Sequence, residues 1–136
     1  MRTLLSIETV AGTFVKDVEL ISGQDLLACN QCGKCGAGCP VSAALDLLPN
    51  AVIRLAQLGQ EDVLEAQTIW VCAACQTCVS RCPKDVDVPR VMEALRIIAM
   101  QRGTLREPVD LAAVPEALVA ELPQMAIIGG YRKFSI

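Results

Sequence analysis

The sequence CNQCGKCGAGCP, Cys29 to Pro40, contains four closely spaced cysteines, and a proline follows the last of them. The same spacing, C-x2-C-x2-C-x3-C-P, returns at CAACQTCVSRCP, Cys72 to Pro83, 43 residues further along the chain. The two blocks together contain all eight cysteines, and the chain has no histidine. Any chemistry that needs thiolate ligands must therefore lie in these two blocks.

Three uses of the cysteines compete. Disulfides persist in oxidising compartments, and nothing in this sequence indicates export. Structural zinc usually takes two separated C-x2-C pairs, whereas each block here carries three cysteines in succession and then a fourth. The third use is iron–sulfur, because this run is the bacterial two-cluster pattern, in which the fourth cysteine binds the other cluster. The two matching copies favour iron–sulfur.

The spacing also explains the ligand arrangement. Thiols at i, i+3 and i+6 of a coiling loop converge on one face and reach three corners of a cubane, so the remaining corner needs a cysteine from elsewhere. Proline after the fourth cysteine fixes φ and directs the chain away. The sequence thus predicts two [4Fe–4S] clusters, one held by Cys29, Cys32, Cys35 and Cys82, and the other by Cys72, Cys75, Cys78 and Cys39.

The residues between the cysteines differ. The first block contains Gly33, Gly36 and Gly38, whose uncovered amides can approach sulfur, whereas the second has larger side chains. We therefore expect two clusters of unequal reduction potential. Three cations adjoin the cysteines and either stabilise the reduced clusters or are solvated surface charges: Lys34, Arg81 and Lys84.

Length and composition narrow the classes of function. At 136 residues, the chain fits one domain with extensions. Twelve Lys and Arg against fifteen Asp and Glu, with four aromatic residues, argue against a nucleic-acid partner. No apolar run approaches the roughly 18 residues that span a bilayer, so we expect a cytoplasmic protein without a transmembrane segment. The 53% hydrophobic content implies apolar surface that contacts partner subunits.

The chain around the cysteines predicts an all-α fold. Helical patterns occupy residues 13–23, 41–48, 49–59, 60–70 and 88–103, and residues 2–10 suggest a strand. The expected core positions are Phe14, Val18, Ile21, Val52, Leu55, Ala56, Leu58, Val63, Leu64, Ile69, Val91, Leu95 and Ile98. We predict an N-terminal extension over residues 1–23, a two-cluster domain over residues 24–103 and a tail over residues 104–136.

Two further features allow two interpretations each. The tail is apolar but interrupted by Pro108, Pro115 and Pro123, so it packs on its own domain or, as we prefer, docks a partner subunit. Trp70 lies two residues before Cys72. It belongs to the core, the commoner case, or shields a cluster from water.

Taken together, SGQDLLACNQCGKCGAGCP, VCAACQTCVSRCP and DVPRVMEALR resemble the C subunit of heterodisulfide reductase, over roughly Phe14 to Gly103. The resemblance implies an α-helical ferredoxin with two [4Fe–4S] clusters. It also implies a complex with an A subunit that carries FAD and further clusters, and with a cysteine-rich B subunit that reduces a disulfide. In that arrangement the C subunit passes electrons from A to B. The tail does not align with the family pattern.

The residues themselves point to the same kind of role. If all eight cysteines are ligands, no thiol remains for catalysis, and no glycine-rich strand-to-helix turn indicates a flavin site. We therefore predict a non-catalytic electron-relay subunit of an oxidoreductase complex. One alternative is the iron–sulfur subunit of a membrane-docked, quinone-linked dehydrogenase, and another is a zinc-stapled scaffold without redox activity.

Overall fold

The computed structural model describes residue 10, residues 12–103 and residues 114–134. Every regular element in these residues is helical, as predicted. The strand suggested for residues 2–10 falls, apart from Val10, outside them. The α-helices are α1 (Thr13–Ser22), α2 (Lys34–Ala37), α3 (Pro49–Gln57), α4 (Thr68–Val71), α5 (Thr77–Arg81), α6 (Val88–Gln101), α7 (Glu116–Glu121) and α8 (Gln124–Phe134). Short 3-10 helices cover Leu26–Ala28, Ser42–Ala44 and Glu61–Glu65.

The chain divides into two compact units, residues 1–98 and residues 99–136. All eight cysteines lie in the first unit. Among the described residues of the second unit are α7 and α8, which are separated at Leu122 and Pro123. Their exposed apolar side chains are Leu118, Val119, Leu122, Met125 and Ile128.

Helices α1, α3 and α6 form where the sequence pattern predicts them. Helix α1 ends at Gly23, which takes a left-handed conformation and donates its N–H to the carbonyl of Glu19. Helix α3 has Pro49 in its first turn, where a missing N–H costs no helical hydrogen bond. The three helices bury one face each, so helical periodicity was a reliable guide to these elements.

The core of the first unit is made by those buried faces and the 3-10 segments between them. Helix α3 packs against α1, against α2 and against the two 3-10 segments Leu26–Ala28 and Glu61–Glu65. The expected core residues that are fully buried are Val18, Val52, Ala56, Val63, Ile69, Val91 and Leu95, and Phe14, Leu64 and Ile98 are nearly so. The assignment of Ile21 was wrong, because this side chain is 38% exposed and Ser22 faces the core instead.

Two predicted helices were also wrong. Residues 41–48 form only a 3-10 turn at Ser42–Ala44, and residues 60–70 divide into a 3-10 segment and α4. The reason is the side chain of Asp46, which accepts hydrogen bonds from the backbone N–H groups of Gln67 and Thr68 and from the Thr68 hydroxyl, at 2.6–2.8 Å. Asp46 therefore caps the start of α4 from a distant segment.

Candidate iron–sulfur centre

The two cysteine blocks share one backbone conformation. Gln31 and Ala74, 43 residues apart, both have positive φ, of 58° and 51°. Gly33 and Gln76, also 43 residues apart, both take the left-handed conformation and precede a short helix, α2 or α5. The sequence repeat is thus a structural repeat, and each block coils its first three thiols toward one pocket.

Each of two neighbouring pockets is lined by four cysteines. The first pocket is lined by Cys29, Cys32, Cys35 and Cys82. The second is lined by Cys72, Cys75, Cys78 and Cys39. In both cases three cysteines come from one block and the fourth from the other block.

Each pocket receives its fourth cysteine from the other block because the two short helices, α2 and α5, pack together. Helix α2 contacts α5, which brings the ends of the two blocks side by side. The side chain of Arg81 lies over Gly38, where an added Cβ would come within 2.6 Å of the guanidinium. Gly38 and Arg81 are 43 residues apart and precede Cys39 and Cys82. A side chain larger than glycine at position 38 would force Arg81 away from this junction.

The remaining pocket walls are mostly apolar. The first pocket also contains the exposed residues Lys34 and Lys84, and the second has no charged side chain among its lining residues. Val88 lines both pockets. Trp70 is half-buried and is not among the lining residues of either pocket.

The state of the thiols indicates which ligand they suit. None of the eight cysteines is in a disulfide. Burial raises the pKa of Cys35, and its neighbours Cys29 and Cys32 raise it further against the backbone N–H of Gly36. Burial and the neighbouring Cys72 raise the pKa of Cys78 to about 11. Clustered, partly buried thiols of this kind become thiolates when a metal centre supplies the compensating charge.

Hydrogen-bond donors next to the sulfurs fit the same ligand. The backbone N–H of Val86 donates to Cys82 Sγ at 3.3 Å, and the Gln31 side-chain amide donates to Cys29 Sγ at 3.5 Å. The Thr77 hydroxyl is 3.4 Å from Cys75 Sγ, and hydrogen bonding by Thr77 lowers the pKa of Cys75. Donors of this kind stabilise sulfur that carries negative charge.

One buried polar atom also points to a bound group. Asn50 lines the first pocket, and its Oδ1 atom is buried without a hydrogen-bond partner among the described residues. A carboxamide can present either its oxygen or its NH2 group after a half-turn, so Asn50 can donate toward sulfur in the pocket. Across the described ranges, no three His, Cys, Asp or Glu side chains are gathered closely enough to hold one metal ion. A [4Fe–4S] cluster binds each thiolate through a different iron, so its four ligands need not converge on one atom, and the donor set and the pocket walls fit such a cluster at each site.

Gln57 on α3 and Arg96 on α6 bond to the backbone at the start of the two cysteine blocks. The sequence did not predict a role for either residue. Gln57 Nε2 donates to the carbonyls of Leu26 and Cys29, at 2.6 and 3.1 Å. Arg96 Nη1 donates to the carbonyls of Ile69 and Cys72, at 2.9 and 3.5 Å. These carbonyls are 43 residues apart in each case. A polar residue on the otherwise apolar face of α3 or α6 was the available signal.

The comparison with protein families identifies a domain within the chain. Residues 25–86 match a family described as "4Fe-4S dicluster domain", and this range contains all eight cysteines. These residues therefore form a 4Fe-4S dicluster domain with two [4Fe–4S] clusters, and the described part of the chain around them is all-α. No helix within residues 12–103 or 114–134 has the length and apolar content needed to cross a membrane.

Curated relatives then narrow the class. The chain is 36% identical over 110 residues to the iron–sulfur C2 subunit of the CoB–CoM heterodisulfide reductase of Methanocaldococcus jannaschii, covering 75% of this chain and 59% of the relative. It is 39% identical over 89 residues to the C2 subunit of the H2/formate:CoB–CoM heterodisulfide,ferredoxin reductase of Methanococcus maripaludis, covering 65% and 48%. The predicted resemblance to the C subunit of heterodisulfide reductase is confirmed. The chain spans about half the length of the relatives it matches, from 39% to 59%.

Proposed function

We propose that this chain is the electron-relay subunit of a heterodisulfide-reductase-type complex. It passes electrons from a subunit that carries a flavin and iron–sulfur clusters to a cysteine-rich catalytic subunit. When bound, the [4Fe–4S] clusters supply one-electron chemistry. The residues of this chain hold the clusters, set their surroundings and limit their contact with water.

The observation that carries the proposal is the exchange of cysteines between the two pockets. We assign the first cluster to Cys29, Cys32, Cys35 and Cys82, and the second to Cys72, Cys75, Cys78 and Cys39. Support comes from the pocket walls, which contain these same two sets. Ligand sets that cross between neighbouring blocks hold the clusters side by side, which suits a relay.

The same assignment argues against substrate chemistry within the described residues. With all eight cysteines used as ligands, no thiol remains to react with a disulfide. Apart from its cysteines, the second pocket is lined mainly by apolar residues, whereas the first pocket also has two asparagines and two lysines in its wall. Neither wall contains a carboxylate or a histidine, so neither offers an acid–base pair.

Exposed apolar side chains support a complex over a freely diffusing carrier. Leu20 is 83% exposed and Leu27 is 70% exposed, and both lie close in sequence to the first block. We propose that these two side chains form part of the surface that contacts a partner. We propose that the predicted tail, residues 104–136, adds to this contact, with domain limits at residues 23 and 103. Free thiols also favour a reducing, cytoplasmic location.

Anaerobic purification of the tagged chain from its native cells tests this function. The expected result is about eight irons per chain and two co-purifying proteins, one with a flavin and one rich in cysteine. A matched control is the same chain with Leu20→Glu and Leu27→Glu, which should retain its iron and lose a partner. A stable monomer that keeps its clusters and recruits neither partner would overturn the relay role.

A further inference from the structure

Gln57 and Arg96 form equivalent hydrogen bonds to the backbone of the two cysteine blocks, but the two side chains differ in charge. Gln57 and Arg96 each lie eight residues after the start of their helix, and each binds the carbonyl of the first cysteine in its block. They are 4% and 3% exposed. Gln57 is neutral, whereas the Arg96 guanidinium is a cation. Of these two buried residues, only Arg96, which bonds to the second block, is a cation.

The charge of Arg96 is only partly compensated. Its Nη2 atom pairs with the carboxylate of Glu93, which is 47% exposed. Water screens a carboxylate in that position, so it cancels only part of the potential on the protein side. The Arg96 Nε atom is buried and has no hydrogen-bond partner among the described residues. The guanidinium thus retains positive potential toward the Cys72 segment.

The cations near the first pocket are exposed to solvent, unlike Arg96. Lys34 and Lys84 line that pocket, but both are exposed. Arg54 donates to Gln57 Oε1 at 3.3 Å, and it too is exposed. Solvent weakens the field of such charges far more than that of a guanidinium that is 3% exposed. Of these four cations, Arg96 is therefore the one that solvent screens least, and it lies beside the second block.

We propose that Arg96 raises the reduction potential of the cluster held at the second pocket, and so biases the electron shared by the two clusters toward it. This inference rests on the proposed ligand sets. The step adds one electron to the cluster, supplied by the electron donor of the complex, and changes no covalent bond. A nearby positive charge in a medium of low polarity stabilises the reduced state more than the oxidised state.

The test is a redox titration of the anaerobically purified protein, followed by electron paramagnetic resonance of both clusters. Arg96→Gln replaces the guanidinium by the amide that makes the equivalent tie in the first half. In this variant, we expect the ratio of the electron population on the second-pocket cluster to that on the first-pocket cluster to fall by about tenfold. This change is equivalent to about 59 mV for one electron. Only the second-pocket cluster should shift, and Cys75→Ser identifies its signal.

Arg90→Gln is the matched control, because it removes the same charge from the same helix at a side chain that is 66% exposed. It should leave both potentials unchanged. Equal shifts in Arg96→Gln and Arg90→Gln, or no shift in either, would overturn the inference. Neither result would affect the proposed function, which depends on the wild-type protein holding two clusters.

A second variant covers the case in which Arg96→Gln loses its clusters. Glu93→Gln removes the partner carboxylate and leaves the tie to Ile69 and Cys72 in place, so the second-pocket potential should rise. A fall or no change in that variant would contradict the inference. If the wild-type protein holds no iron, the proposed function itself fails, and iron analysis distinguishes that outcome from the others.

Discussion

The first cysteine block and the second place the same backbone around their thiols with different side chains. Position 33 is glycine and position 76 is glutamine, yet both take the left-handed conformation before a short helix. The turn before Cys29 is capped by Glu19 and Asp25, whereas the helix before Cys72 is capped by Asp46 from a distant segment. The two blocks therefore share their cysteine spacing and backbone conformation, whereas different side chains stabilise the turn or helix that precedes each block.

The first cysteine block with α2 and the second block with α5 each depend on contacts with the other. Helices α2 and α5 have four and five residues, far below the length at which an isolated helix is stable. Each packs mainly against the other, and each pocket takes one cysteine from the opposite block. With the proposed ligand sets, each bound cluster would join the first block to the second, in addition to this packing.

Iron removal should have the largest effect, because it acts on both halves together. Chelation under anaerobic, reducing conditions leaves thiols that are crowded and partly buried, with no centre to hold the blocks together. We expect most of the helical circular dichroism signal and the cooperative thermal transition to disappear. An apoprotein that keeps both would mean that the apolar core alone maintains the fold.

Substitutions at equivalent left-handed positions should act in opposite directions on the two halves. Gly33→Ala places a Cβ at φ +75°, with open space around it, so the cost is conformational and is about 1–2 kcal/mol. Gln76→Gly removes the strain of a side chain at φ 64° and should raise the thermal midpoint. Thermal loss of cluster absorbance in the anaerobic protein measures both. Shifts of the same sign would show that the two coils are not equivalent.

Asp46→Asn tests the cap on the helix that precedes the second cysteine block, and it should have a smaller effect on stability. Partial burial tends to raise the pKa of Asp46, but hydrogen bonds from the Thr68 hydroxyl and from the backbone N–H groups of Gln67, Thr68 and Leu47 outweigh it and lower the pKa to about 2. The carboxylate's stabilisation is thus complete above the unfolded pKa of about 3.9 and is lost as the pH falls through about 2.

At neutral pH, Asp46→Asn should therefore lower stability by up to about 1 kcal/mol, since the group is largely exposed. The thermal midpoint of the iron-loaded protein is the measurement. Asp17→Asn, at an exposed position on α1, is the control and should leave the midpoint unchanged. An equal effect of the two substitutions would show that Asp46 is not a structural cap.

The sequence predicted the parts of the molecule that depend on local pattern. Helices α1, α3 and α6 follow from apolar periodicity and helix-end residues, and the cysteine spacing predicts the two clusters. The helix expected at residues 41–48 fails because Asp46 bonds to residues more than 20 positions away. Gln57 and Arg96 were missed for the same reason, since their carbonyl partners are 24–31 residues distant in sequence. Periodicity carries no information about such contacts.

The most direct test of the crossed arrangement uses two double variants and counts iron. Cys32→Ser with Cys82→Ser removes two ligands of the same proposed cluster, so about four irons and one intact cluster signal should remain. Cys32→Ser with Cys39→Ser removes one ligand from each cluster, so both signals should be lost or altered. The opposite pattern, in which the Cys32 and Cys39 pair spares one cluster and the Cys32 and Cys82 pair spares none, would contradict the exchange of ligands between the two halves.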